Sequence, residues 1–198
     1  MNYQPFYIGK QFRIVAPDTT PEEERIDIIM ARGAFGSGEH ETTASCIELM
    51  EGLDLTGKTF LDLGSGTAIL AIAAAKLGAV DGLCIDIEQD AVASGRTNCE
   101  LNGIGDRVAH HCGTLANVGA EGFDFILANI YGDILLDVCT DLVAKVKPGG
   151  WLLLSGILWE YNFDVRQSYQ RGGCELIRNR MLDEFSTVLL KKNNSGKP

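Results

Sequence analysis

The stretch Asp62-Leu63-Gly64-Ser65-Gly66-Thr67-Ala68 restricts the possible folds of this chain more than any other. Ahead of it, Lys58-Thr59-Phe60-Leu61 is short and β-compatible. Behind it, Ile69 to Leu77 consists of good helix formers and stops at Gly78, a natural terminator. Strand, glycine turn and helix in that order make a βα unit built to face a ligand. Two glycines let backbone approach closely, and the helix start presents N–H groups to an anion. A dinucleotide fingerprint asks for G-x-G-x-x-G, and the third glycine position here holds Ile69, or Ala68 on a looser count. That weakens a nicotinamide or flavin assignment.

The units on either side continue the alternation. Ala79 to Asp86 reads as a strand ending in an acid, and Glu88 to Asn102 as a helix closed by Gly103. Arg107–Cys112 and Phe123–Ala128 read as strands, the latter ending at Asn129. Apolar residues at helical spacing across 132–146 give a helix stopped by Pro148-Gly149-Gly150, and Trp151 to Ser155 is a strand apolar enough to be covered on both faces. A helix over 160–170 and two strands, Cys174–Arg180 and Glu184–Leu190, close the chain. The expected fold is therefore α/β: a doubly wound, mostly parallel sheet with an antiparallel C-terminal hairpin. The expected organisation is a lead-in over 1–33 with short strands at 11–15 and 26–30, one domain over 34–190, and a disordered tail over 191–198. A second glycine-rich loop, Ala34 to Thr43, enters a helix carrying Ala44, Ile47 and Met50 on one face.

Composition narrows the chemistry. A net charge of −10 repels a phosphate backbone and favours a cationic substrate such as a lysine-rich protein. The six cysteines are scattered, with no C-x-x-C pair, and read as reduced core thiols of a cytoplasmic protein. No metal-ligand cluster emerges, since His110 and His111 would point to opposite faces of a strand. No signal peptide or membrane span is apparent.

In an open α/β sheet, ligands sit at the carboxyl ends of the strands beside the topological switch point. Gly64 and Gly66, Asp86, Gly113-Thr114 and Asn129 all fall there. Asp86 stands 22 positions after Gly64, where an acid can accept both hydroxyls of a ribose. Thr114 would border the adenine, and Asn129 can both donate and accept hydrogen bonds.

Asp62 followed by G-x-G resembles the first motif of S-adenosylmethionine-dependent methyltransferases. Phe35-Gly36-Ser37-Gly38-Glu39-His40-Glu41-Thr42-Thr43, Asp62 to Gly66, Ile85-Asp86-Ile87, Ala128-Asn129-Ile130 and Leu154 to Leu158 together resemble the ribosomal protein L11 methyltransferases (PrmA), over roughly residues 5 to 190. The resemblance implies a seven-stranded Rossmann-like methyltransferase fold with S-adenosylmethionine as cofactor. It implies cofactor contacts from Thr43, Asp62, Gly64, Gly66, Asp86, Ile87 and Asn129, with Phe35 and His40 on a loop closing over the site. It further implies N-methylation of protein amines, lysine or N-terminal, on a ribosomal protein in the cytoplasm. The chain departs from that family in three ways. Only a few residues precede the shared region, where the family carries a substrate-recruiting domain. Glu39 and Glu41 replace neutral residues around the histidine, and Tyr131-Gly132-Asp133 replaces a more apolar stretch. A small-molecule amine acceptor, or a cofactor-binding regulatory module without catalysis, are the alternatives.

A lysine amine must lose its proton before attack, which costs roughly 4–5 kcal/mol at pH 7. Asn129 cannot take that proton and is expected to orient the amine or cofactor. Tyr131, His40 and Glu39 are expected to shape the acceptor pocket, and the Asn129-Ile130-Tyr131-Gly132 sequence is not the N-P-P-Y of glutamine- and adenine-directed enzymes.

Overall fold

The computed structural model describes residues 4–31 and 40–194. The chain opens with β1 (Phe6–Ile8), β2 (Phe12–Val15) and β3 (Ile26–Ile29), which pair as a small sheet in the order β1-β2-β3. β2 and β3 lie where short strands are expected, and β1 is an addition. Ile8, Phe12, Ile14, Ile28 and Met30 are buried in the same apolar cluster as α1 (Glu41–Met50). Each such side chain contributes about 1.5–3 kcal/mol by leaving water. Glu51, just past α1, accepts hydrogen bonds from the N–H groups of Lys10 and Gln11 and so pins the β1–β2 turn. Inside the small sheet, Arg13 grips both carboxylate oxygens of Asp27 at 2.7 and 2.8 Å.

The main sheet contains β4 (Thr59–Leu63), β5 (Asp81–Asp86), β6 (Val108–Cys112), β7 (Phe123–Asn129), β8 (Val146–Leu158), β9 (Cys174–Met181) and β10 (Phe185–Lys192), in the order β6-β5-β4-β7-β8-β10-β9. Neighbouring strands pair in parallel from β6 through β8, and β10 pairs antiparallel with both β8 and β9. The chain winds outward from β4 through β5 to β6, then returns to the other side of β4 for β7 and β8. The switch point thus lies between β4 and β7, at the Asp62–Ala68 turn.

Helices cover both faces. α2 (Ile69–Lys76) is buried from Ile69 through Ala75, because it packs among the sheet, α1, β3 and α3 (Gln89–Leu101). A helix apolar all round is stable only in such a place. α4 (Gly132–Asp137), α5 (Cys139–Lys145) and α6 (Trp159–Arg171) cover the opposite face. β8 runs between the two layers, with Leu153 in one core and Leu152 and Leu154 in the other.

Three local expectations change. The helix expected over 132–146 breaks at Val138 (φ −92°, ψ 4°) into α4 and α5, and Val146 already belongs to β8. Pro148-Gly149-Gly150 do not precede the strand but interrupt it: pairing with β7 jumps from Phe123↔Val146 to Phe125↔Trp151. Lys191 and Lys192, assigned to the tail from the sequence, complete β10. The Lys192 ammonium donates to the carbonyls of Val143 and Val146 at 2.6 and 2.7 Å, which ties the strand end to the C-terminal end of α5.

Candidate functional site

The turn after β4 holds its shape through bonds to the end of β5. The N–H groups of Gly64 and Ser65 both donate to the Ile85 carbonyl, at 2.8 and 3.0 Å, and Gly66 N–H donates to Asp86 Oδ2 at 2.8 Å. Gly64 sits at φ +69°, and a Cβ there would stand 2.3 Å from Ile130 Cγ2, so only glycine fits. Gly66, at φ +51°, is the opposite case: a Cβ there would meet nothing within 4 Å. Its open side is a cradle facing solvent space, as a bound ligand would require.

Asp86 ends β5 as the sequence indicates. Its Oδ1 accepts from Glu88 N–H at 3.0 Å while Oδ2 holds Gly66. A carboxylate has about four acceptor positions, so each oxygen keeps capacity for a ligand hydroxyl. Beside it lies a cleft of about 180 Å³, lined by Gly64, Asp86, Gly113 and Thr114 and otherwise by apolar side chains, among them Ile85, Ile87, Leu115, Ile130 and Ile134. Ile87 is 68% exposed, an aliphatic surface at the cleft available to a flat ring. Thr114 does border the cleft, but its N–H and hydroxyl both bond to Asn117 Oδ1, at 3.1 and 2.9 Å. The site thus combines a glycine cradle, a carboxylate with spare acceptor positions and an apolar slot, a donor set that fits a nucleoside.

Asp62 is differently placed from the sequence expectation. It is 1% exposed, absent from the cleft lining, and set among Cys46, Cys84 and Cys99 beneath α2, where Ala71 N–H donates to its carboxylate. Asp62 itself occupies the start of α2, the position expected to await a ligand anion. Among the described residues its Oδ2 has no hydrogen-bond partner. Burial, with Asp86 adding repulsion against the relief from Ala71, pushes its carboxyl up to about 7.

Across the switch point the candidates divide. Thr43 and Asn129, 86 residues apart, come together: Asn129 Nδ2 donates to Thr43 Oγ1 at 3.4 Å. Asn129 Oδ1 is thereby left as an acceptor beside Gly156, whose φ of +77° and close approach to Ile130 O leave no room for a side chain. His40 caps α1 instead of standing free. Its Nδ1 accepts from Thr42 N–H and lies 2.8 Å from Thr42 Oγ1, and the ring meets Phe185 edge-on at 5.3 Å. Tyr131 is 66% exposed at the start of α4. Phe35 and Glu39 lie outside the described residues.

Next to this group opens a broader hollow of about 510 Å³, lined by Leu158, Trp159, Glu160, Asp183 and Glu184. Trp159 is half exposed and held by its indole N–H, which donates to the carbonyls of Leu182 and Phe185. Glu41 Oε2 accepts from Asp183 N–H at 3.2 Å, linking the β9–β10 turn to α1. Sequence reasoning did not find Trp159, Asp183 or Glu184. A tryptophan opening an otherwise polar helix was the one available signal.

All six cysteines are free, five of them buried, and burial pushes the Cys46 and Cys99 thiols up to about 12, which keeps them unreactive. His110 pairs with Cys84 and His111 with Ile85, on opposite faces of β6. Among the described residues no group of His, Cys, Asp and Glu could hold a metal ion.

The family model of ribosomal protein L11 methyltransferase (PrmA) matches residues 1–193. A ribosomal protein L11 methyltransferase of Exiguobacterium sp. is 37% identical over 194 residues, covering 96% of this chain and 62% of the relative. One from Trichlorobacter lovleyi is 40% identical over 177 residues, covering 85% and 58%. The chain therefore spans about three-fifths of the length of these curated relatives. Among solved structures, a ribosomal protein L11 methylase from Lactobacillus delbrueckii subsp. bulgaricus superposes with a TM-score of 0.87 at 27% identity, over 98% of this chain and 100% of that one. An RNA methyltransferase from Salinibacter ruber in complex with S-adenosyl-L-homocysteine shares the fold, with a TM-score of 0.61 at 18% identity over 76% of this chain and 92% of that one.

Proposed function

The chain belongs to the ribosomal protein L11 methyltransferase family, and we propose that it binds S-adenosylmethionine and methylates an amine of a protein, with a ribosomal protein as the first acceptor to test. The observation that carries this proposal is the Asp86 carboxylate. It stands at the end of β5 with acceptor positions to spare, tied to the glycine cradle on one side and next to an apolar slot on the other. In this assignment Asp86 takes the ribose hydroxyls, Gly64 and Gly66 give the methionyl part room against the backbone, and Ile87 and Thr114 border the adenine.

When bound, S-adenosylmethionine supplies an electrophilic methyl group on a sulfonium. The residues of this chain contribute mainly position. Asn129, fixed through Nδ2 by Thr43, offers Oδ1 to the N–H of an incoming amine and aligns its lone pair. The amine must first lose a proton, at a cost of roughly 4–5 kcal/mol for lysine at pH 7. His40 is committed through its Nδ1 to Thr42 at the start of α1. The proton leaves to water through the open hollow, whose carboxylates Glu160, Asp183 and Glu184 attract the ammonium form to the site. Trp159 and Tyr131 provide aromatic surface for the aliphatic stem. The same acidic rim disfavours nucleic acid as acceptor. Among the described residues no helix is long and apolar enough to cross a membrane.

Calorimetric titration with S-adenosylhomocysteine, followed by incubation with labelled S-adenosylmethionine and ribosomal proteins and mass spectrometry of the products, tests this function. Binding with methyl transfer to a protein amine is expected. Binding without transfer to any protein identifies a non-catalytic module, transfer only to small amines changes the acceptor, and binding of NADH alone overturns the cofactor.

A further inference from the structure

We propose that Asn98 is the positioning residue of the cofactor turn, holding the Thr67–Ala68 peptide so that a residue other than glycine can occupy the left-handed corner where α2 begins. This rests on the cofactor site proposed above. Ala68 sits at φ +61°, ψ 22°, wholly buried, and begins α2 without a side-chain cap. Among the described residues only Asp18 shares a positive φ without being glycine, and Asp18 is exposed in a turn, where its side chain tolerates that conformation. Ala68 has no such excuse: its Cβ disfavours the corner, and its methyl cannot bond to the backbone.

The support comes from one face of α3. Gly95, Asn98 and Asn102 lie at helical spacing and turn toward the glycine loop and β3. At Gly95 the helix passes so close that a Cβ would stand 3.1 Å from Gly66 O and 3.3 Å from Ala68 Cβ. One turn on, Asn98, fully buried, donates from Nδ2 to Thr67 O at 3.0 Å and accepts from Ala31 N–H at Oδ1, 2.9 Å away. Asn102 continues the pattern, accepting from Ile29 N–H and donating to Ile29 O. α3 therefore clamps the turn against the exit of β3, and the bond to Thr67 O sits directly before the strained corner. The peptide that Asn98 holds lies one residue after Gly66, whose open side is the cradle.

The test is a double-mutant cycle read by calorimetric affinity for S-adenosylhomocysteine. Asn98→Asp keeps the acceptor for Ala31 but loses the donor to Thr67, and Asn98→Ser is a milder variant should the first not fold. Each is expected to weaken binding about tenfold, and Ala68→Gly alone to change it less than twofold. Combined with either Asn98 variant, Ala68→Gly is expected to restore at least half of the lost affinity on a logarithmic scale, since glycine adopts the corner unaided. A purely structural role for Asn98 predicts no such rescue. Wild-type affinity in the Asn98 variants, or losses that Ala68→Gly leaves untouched, overturns the proposal while the cofactor assignment stands. Absence of binding by the wild-type chain overturns both.

Discussion

The two halves of the strand-end surface, on either side of the switch point, are built on different principles. On the β4–β5–β6 side nearly every polar group of the turn is committed within the protein: Gly64 and Ser65 to Ile85, Gly66 to Asp86, Thr67 to Asn98. The resulting cleft is narrow and largely apolar. On the β7–β8–β10 side the hollow is broad, with Trp159 and the acidic residues Glu160, Asp183 and Glu184 exposed. A surface set rigid by its own bonds suits one invariant small ligand. An open acidic and aromatic one suits an acceptor that arrives with its own shape and charge.

The largest effect expected concerns what rigidity costs the first half. Asp62 has a folded-state carboxyl at about 7 against an ordinary 3.8, so between those values the folded protein keeps a proton that the unfolded chain has lost. Stability therefore falls as pH rises through that window and is lowest above it. Asp62→Asn cannot ionise, so the melting temperature of the ligand-free variant should exceed that of the wild type increasingly from pH 4 to pH 7. The gap should reach at most about 4 kcal/mol, or on the order of 8–16 °C. Parallel pH profiles would show that Asp62 is not strained by burial.

Asp86→Ala comes next. Loss of a charged acceptor for two hydroxyls should weaken S-adenosylhomocysteine binding by about 2–3 kcal/mol, roughly 30- to 150-fold. The KM for acceptor should hold, and a shift in both constants would mean that the two halves are not separable. Trp159→Ala should do the reverse, raising acceptor KM about fivefold, near 1 kcal/mol, with cofactor affinity unchanged. Asp183→Asn combined with Glu184→Gln should give the smallest change, about threefold in acceptor KM at low salt, fading at high ionic strength because exposed charges are screened. Salt-independent loss would point to a shape effect instead of charge steering.

The same division governs what can be read from the chain. Gly64, Gly66 and Asp86 are legible because their chemistry is local: the glycines follow one strand, the acid ends the next, and strand, turn and acid follow at fixed spacing. The break at Val138 and the interruption at Pro148 to Gly150 were not legible, because helical periodicity persists across the first and a proline–glycine run signals an ending wherever it falls. For Asp62 the motif was visible but not its surroundings. Its position in the turn is the same whether it faces a ligand or lies beneath α2, and only packing distinguishes these.

The residue order alone was enough for the alternation of strands and helices, the parallel sheet with its closing hairpin, and the cradle with its acid, since all follow from hydrophobic periodicity and turn chemistry within a few residues. Folding in three dimensions decided that Thr43 meets Asn129, that Asn98 backs the turn, and that Trp159 and Asp183 share a hollow. Those pairings join segments up to 86 residues apart, and their geometry is fixed by how the helices pack on the sheet, a quantity no local pattern encodes.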